Sequence, residues 1–165
     1  MKFDTSIVQT RHDGPLGPMV VAATQRGLAG VWFVGQRHMP DTAAWPVDDG
    51  HPVLRQAVEQ LTGYFAGTRT SFDLPLDLQG GTPFQQSVWA ALLRIPAGHT
   101  TSYGQLSQGI GNPSAVRAVG AAVGRNPLSV VVPCHRVVGA DGSLTGYAGG
   151  LDRKTALLRL EGAGA

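Results

Sequence analysis

The chain predicts an α+β fold made of two lobes, and three observations carry that prediction. Strand-like apolar runs lie before residue 80, a Gly80-Gly81 pair interrupts the pattern, and the chain beyond it divides into short helices with recognisable start signals. The expected division is therefore 1–80 and 81–165.

Ile7-Val8 is a weak strand signal. Met19-Val20-Val21-Ala22 and the run from Leu28 to Val34 are stronger, with Gln25-Arg26-Gly27 as a hairpin turn between them. Residues 36–51, with Pro40, Pro46 and Gly50, read as loop. Pro52 can open a helix whose apolar face includes Leu54, Ala57, Val58, Leu61 and Phe65, and Gly67 ends it. Phe72, Leu74, Leu76 and Leu78 alternate, as in an edge strand that tolerates Pro75. Past the glycine pair, Thr82-Pro83-Phe84-Gln85 offers a cap, a first-turn proline and a capping-box glutamine for a helix through Leu93. Ser102-Tyr103-Gly104-Gln105 repeats the capping box for a shorter helix that Gly109-Ile110-Gly111 breaks. Asn112-Pro113 starts a third, through about Val123. Two short helices joined by a glycine turn fit a helix-turn-helix. The third helix carries little bulk: Ala115, Ala118, Gly120, Ala121, Ala122 and Gly124, with Arg117 and Arg125 as its charges. So thin a helix suits tight core packing or docking into a groove, where Arg117 would meet phosphate or enter a base stack. A last helix, about 152–160, is expected to pack through Ala156, Leu157 and Leu160.

The net charge is only +2, but residues 1–80 hold six Lys/Arg against eight Asp/Glu, and residues 81–165 hold seven against three. Any face for a polyanion belongs to the second portion. A mean hydropathy near zero is an ordinary soluble composition. The apolar runs are too short to span a bilayer, and no apolar signal core follows Met1-Lys2-Phe3-Asp4. A single cysteine forms no internal disulfide, which suits a reducing, cytoplasmic setting. It also excludes a cysteine-cluster zinc site within the chain, and no metal or cofactor is expected.

That cysteine sits in Val130-Val131-Val132-Pro133-Cys134-His135-Arg136-Val137-Val138, where a nucleophile, a base and a cation are consecutive. Cys134 reads either as a buried, inert thiol after an interior strand over Val130–Val132, or as a reactive one whose proton His135 accepts. Neighbours in an extended segment face opposite ways, so direct contact between the two needs a turn or a bridging water. His135 would want an acidic partner, with Asp141, Asp152 and Glu161 as candidates. Arg136 fits a phosphate contact or an internal ion pair equally. Downstream, Gly146-Tyr147-Ala148-Gly149-Gly150 forms a loop able to pass close to a flat ligand, with Tyr147 either stacking there or pinning the loop.

Pro133-Cys134-His135-Arg136-Val137-Val138, with Ser102-Tyr103-Gly104 before it and Gly146-Tyr147-Ala148-Gly149-Gly150 after it, closely resembles the O6-alkylguanine-DNA alkyltransferases. Arg117-Ala118-Val119-Gly120 and Gly124-Arg125-Asn126-Pro127 match in order and spacing. The resemblance is strong from about Thr82 to Gly162 and looser before Gly80, and the layout is that of the compact bacterial, mycobacterial-type members. It implies a ribonuclease-H-like first lobe and a helical, winged-helix-like second lobe whose helix-turn-helix enters the minor groove of double-stranded DNA. It implies that a monomer flips an O6-alkylguanine out of the duplex and moves the alkyl group irreversibly to Cys134. His135 resembles the water-linked base, Glu161 its acidic partner, and Asn126 the brace of the segment before the cysteine. Tyr103 resembles the residue that helps turn the nucleotide out and protonates the purine, and Arg117 the one that fills the vacated stack. Ala115, Ala118, Gly120, Ser102 and Arg136 fall at DNA-contacting places. Tyr147, Val137, Ala148, Gly149 and Ser129 fall at the pocket. Ala148 replaces a serine of several relatives, and Gly146 an asparagine of some, which removes a hydroxyl donor and shrinks one wall. Two other classes stay open: alkyltransferase-like proteins, which bind damaged DNA and lack the acceptor cysteine, and a Cys-His-acid thiol hydrolase.

Overall fold

The computed structural model describes residues 1–163. Three antiparallel strands, β1 (Val8–Gly14), β2 (Gly17–Thr24) and β3 (Gly27–Phe33), form one sheet in the order β1-β2-β3. The two-residue period of β2 sorts its side chains cleanly. Met19, Val21 and Ala23 face the main core, whereas Val20 and Ala22 join Ile7, Ala29 and Trp32 in a smaller cluster that Phe3, Met39 and Trp45 cover. The register slips between Ala22 and Ala23, so β3 carries one extra residue there. Gly30 lies under the Trp32 ring, where an added Cβ would fall 1.9 Å from the indole.

Helix α1 (Pro52–Phe65) has proline in its first turn and packs on all three strands through Leu54, Ala57, Leu61 and Tyr64. Tyr64, not Phe65, completes the buried stripe, continuing the three-residue step from Leu54 to Ala57, while Phe65 is only partly buried against the core. The alternating segment 72–78 keeps its predicted period but makes no strand. It meets β3 at one bridge, Leu28–Leu76, flanked by Leu28 N–H to Pro75 O and Asp77 N–H to Leu28 O. Proline has no N–H to extend the ladder.

Both predicted capping boxes form. Thr82 and Gln85 cap α2 (Pro83–Leu92), and Ser102 and Gln105 cap α3 (Tyr103–Gly109). The third helix, α4 (Val116–Gly124), begins later than Pro113. Its inner face is Val119, Ala122 and Val123, and the Trp89 indole N–H donates to Ala122 O at 2.9 Å. Arg117, Ala118 and Ala121 face outward. Two-residue strands β4 (Thr101–Ser102) and β5 (Val137–Val138) pair in parallel. The final helix α5 (Leu151–Leu160) buries Lys154, Leu157 and Leu158, while Leu160, expected in the core, is 41% exposed. One continuous core runs from the sheet through α1, α2, α4 and α5, so the halves on either side of Gly80-Gly81 share their interior. No helix of the described residues is long and apolar enough to cross a membrane.

Thr82→Ala removes the cap that starts α2 and is expected to lower stability by about 1 kcal/mol, read as a lower urea midpoint with unchanged slope.

Candidate active site

The apolar run before the cysteine is not the interior strand its composition predicts. Leu128 alone bridges to β3, with Val31 N–H donating to Pro127 O and Ser129 N–H to Val31 O. The chain then coils. Val131 N–H bonds back to Ser129 O at 2.9 Å across Val130, whose φ is 73°. Cys134 N–H bonds to Val132 O at 2.8 Å across Pro133. These are successive γ-turns, and a β-branched residue at positive φ carries strain of about 1–3 kcal/mol. Asn126 holds the coil shut: its side-chain amide donates to Val132 O at 2.8 Å, and its carbonyl accepts from Leu128 N–H at 2.9 Å. The N–H groups of Val131, Val132 and Cys134 thus bond within the coil, Val132 N–H to Leu128 O at 2.8 Å, rather than to a neighbouring strand.

Cys134–Arg136 then form a single 3₁₀ turn. Residues of such a turn point about 120° apart, so the sulfur is separated from the two side chains that follow it. Cys134 lines a cleft of about 350 Å³ with Tyr103, Gly120, Tyr147 and Ala148. His135 and Arg136 turn inward, where His135 Nε2 lies 2.8 Å from Glu161 Oε2 and Arg136 grips both carboxylate oxygens at 2.8 Å. Arg136 Nη1 also donates to Ile95 O. Among the three acidic candidates the structure brings Glu161 to His135, whereas Asp141 and Asp152 are exposed. Arg136 is 6% exposed and committed to this ion pair, which corrects its expected place on the DNA face. A separate hollow of about 390 Å³ lies behind Pro133, Arg136 and Glu161 and does not reach Cys134.

The other expected pocket residues divide. Val137 is wholly buried, its carbonyl accepting from Lys154 Nζ at 2.6 Å. Ser129 is buried and donates to Gln36 Oε1 at 3.1 Å. Gly149 is packed where an added Cβ would fall 2.6 Å from the Tyr147 ring, so its lack of a side chain is what lets that ring sit down. These three lie behind the cleft wall rather than in it. Ala115 is partly buried against the core, Arg117 and Ala118 stand on the exposed face of α4, and the Ser102 hydroxyl accepts from Gln105 N–H as a cap. The Tyr103 hydroxyl accepts from Thr145 Oγ1 at 3.1 Å, which leaves its own proton free to donate. The Tyr147 hydroxyl is buried with no hydrogen-bond partner among the described residues.

Sequence reasoning missed Tyr64, Lys154, Arg37 and His38. Tyr64 donates to Glu161 Oε2 at 2.6 Å from the far end of α1, and Lys154 donates to Val137 O and to Thr145 O at 3.1 Å. Both stand at buried positions of helices whose period is readable, so a polar atom on an apolar stripe was the available signal. Arg37 and His38 sit in a loop with no periodicity and left none.

Burial shapes the electrostatics. It pushes the Cys134 thiol up to about 11, against the pull of the Asn126 side chain and the Lys154 ammonium, so the resting sulfur is protonated. Burial would raise Glu161, but hydrogen bonds from Arg136, His135 and Tyr64 outweigh it and hold the carboxyl down to about 2. His135 is lowered by burial in spite of Glu161 and is neutral near pH 7. Since Glu161 is ionised, Nε2 must carry the ring proton. Nδ1 is then a lone-pair acceptor, buried and without a partner among the described residues.

Fold and site together define a class: a two-part α+β protein whose one thiol, backed by a neutral histidine and a buried carboxylate, lines an open cleft. Residues 7–78 match the ribonuclease-like domain of 6-O-methylguanine DNA methyltransferase, and residues 83–163 match its DNA-binding domain. The chain is 51% identical over 149 residues to the methylated-DNA–protein-cysteine methyltransferase of Mycobacterium tuberculosis, spanning 90% of this chain and 88% of that one. It is 48% identical over 151 residues to the protein of that name from Methanosarcina acetivorans, spanning 91% and 95%. The crystal structure of the M. tuberculosis protein in complex with DNA superposes with a TM-score of 0.85 at 48% identity, over 95% of this chain and 92% of that one. The chain belongs to the 6-O-methylguanine-DNA methyltransferase family.

The site makes stability pH-dependent with a definite sign. Glu161 and His135 are both held below their ordinary values of 4.5 and 6.5, so the unfolded chain binds more protons and stability falls on acidification. The melting temperature should decline below about pH 6.5, and again from about 4.5 towards 2 as Glu161 protonates. Glu161→Gln should flatten the lower window. It should also cost about 3–5 kcal/mol at neutral pH, because it strands Arg136 as an uncompensated buried charge.

Proposed function

We propose that the protein repairs O6-alkylguanine in double-stranded DNA by moving the alkyl group irreversibly onto Cys134. The observation that carries this reading is the placement of the only cysteine in the lining of the cleft, next in the chain to the neutral His135 that Glu161 orients. O6-methylguanine is the main substrate, with O4-methylthymine a further one. Residues 81–165 bind DNA and carry the acceptor, and residues 1–80 are the scaffold lobe.

Helices α3 and α4 act as a helix-turn-helix in the minor groove. The outward face of α4, with Ala118 and Ala121 beside Gly120, admits close approach to the groove. A base within a duplex is out of reach of a buried sulfur, so the lesion nucleotide must be everted. Tyr103 helps turn it out, and Arg117, exposed at the start of α4, fills the space it leaves. Tyr147 and Ala148 wall the purine.

Binding of the purine precedes ionisation of the thiol. The Cys134 proton passes through water to Nδ1 of His135, whose rising positive charge Glu161 stabilises. The thiolate attacks the alkyl carbon, the C–S bond forms as the C–O bond breaks, and the electron pair leaves with the purine. Tyr103 offsets that charge by a proton or strong hydrogen bond at N3. The product thioether resists hydrolysis, and no second thiol exists to receive the group. One event per chain follows. The protein works as a cytoplasmic monomer.

Intact mass after incubation with duplex containing O6-methylguanine should show a single CH2 adduct on Cys134 that saturates at one per chain. Cys134→Ala should abolish it. Product accumulating well beyond the number of protein molecules would instead identify a thiol hydrolase. Arg117→Ala should slow repair of duplex by roughly tenfold or more while slowing reaction with free O6-benzylguanine far less.

A further inference from the structure

The cleft is not built by the second half of the chain alone. Arg37 and His38, in the loop that follows β3, line it together with Tyr147 and Ala148, and Arg125 lines it at the end of α4. The loop is held firmly in place although its charged tips are exposed. Arg37 N–H donates to Ala148 O at 3.0 Å, tying the loop to the active-site loop. The preceding Gln36 is buried, and its side-chain oxygen accepts from Phe33 N–H at 2.9 Å and from Ser129 Oγ at 3.1 Å. His38 adopts a φ of 60°, in the left-handed region that few non-glycine residues enter. Both His38 and Arg125 also line an adjoining hollow of about 230 Å³.

Arg37 and Arg125 are cations without internal counterions, and His38, held below its ordinary value, stands between them as a neutral imidazole able to donate a hydrogen bond. None makes a salt bridge among the described residues, and no hydrogen bond engages their side chains. Both arginines bear on the histidine: the His38 imidazole is lowered by burial and then by the charges of Arg125 and Arg37. Arg125 complements the carbonyl end of α4, but Arg37 and His38 have no such reason to be where they are. Clustered like charges are unfavourable unless an anion joins them. A nucleotide that enters the cleft base-first brings one, since its phosphodiester must stay at the mouth while its base reaches Cys134.

We infer that Arg37, His38 and Arg125 form a phosphate-binding mouth to the acceptor cleft, which clamps the DNA backbone beside the everted nucleotide from the N-terminal half of the chain. The inference rests on the proposed repair of duplex DNA and extends it. The first eighty residues then contribute to substrate capture as well as to scaffolding. Substrates without a backbone phosphate gain nothing from these three residues.

The test uses the full-length protein carrying Arg37→Gln and Arg125→Gln together, and separately His38→Asn, which tolerates positive φ. Rates of Cys134 alkylation are measured with O6-methylguanine duplex and with free O6-benzylguanine, and duplex affinity is followed over a salt series. The double variant should lose roughly tenfold or more in rate on duplex relative to its change on the free base. Its salt dependence should weaken by about one to two units of log–log slope. Arg55→Gln, which removes the same charge from α1 outside the cleft, should leave the slope alone. Equal slowing on both substrates, or a slope no different from that of Arg55→Gln, overturns the phosphate mouth. A wild-type protein that duplex does not alkylate overturns the repair reading itself.

Discussion

The carboxylate of Glu161 is the point on which the site depends. It accepts four hydrogen bonds, one from Tyr64 on α1, one from His135 and two from Arg136. Those donors come from both halves of the chain, and Arg136 extends the link to the carbonyl of Ile95 beyond α2. A carboxylate whose side chain is 2% exposed tolerates burial only when its charge and lone pairs are matched. Arg136 matches the charge, Tyr64 and His135 take the remaining capacity, and the histidine is thereby fixed in one tautomer. Structure and chemistry therefore share one interaction.

The sulfur is governed by the opposite condition. It is buried and unmatched, so it rests as a thiol. His135 Nδ1 is buried without a partner among the described residues, and Lys154, hydrogen-bonded to the carbonyls of Val137 and Thr145, pulls the thiol down against its burial. The strained turn at Val130 and the Asn126 brace hold this arrangement at a cost in backbone energy that the shared core offsets. A thiol used once gains from being inert until the substrate arrives.

Helix α4 reconciles two readings of its small residues. Val119, Ala122 and Val123 pack inward, close enough for Trp89 to reach the Ala122 carbonyl, while Ala118, Ala121 and Arg117 stay outside. Slimness serves the core on one side and leaves a low profile on the other. The glycine at 149 has a comparable role, because the aromatic wall of the cleft occupies the space its side chain would need.

Much of this was legible in the residues themselves. The hairpin of β2 and β3, both capping boxes and α1 follow from periods of two and 3.6 and from hydrogen bonds spanning three residues, all short-range effects that a linear chain displays. Where local signals competed, reading failed. Val130–Val132 has strand composition, yet its N–H groups at 131 and 132 bond back within the coil and Asn126 takes the Val132 carbonyl; Pro75 denies the 72–78 segment a ladder; and Leu160 has the period of α5 but lies past the edge of the core. The choice of Glu161 over Asp141 and Asp152, the turn of Arg136 inward, the burial of Lys154, the arrival of Tyr64 at Glu161 and that of Arg37 at the cleft were decided only by the tertiary structure. Each is a distance between residues far apart in the chain, set by how helices and sheet share one interior, and no local pattern encodes it.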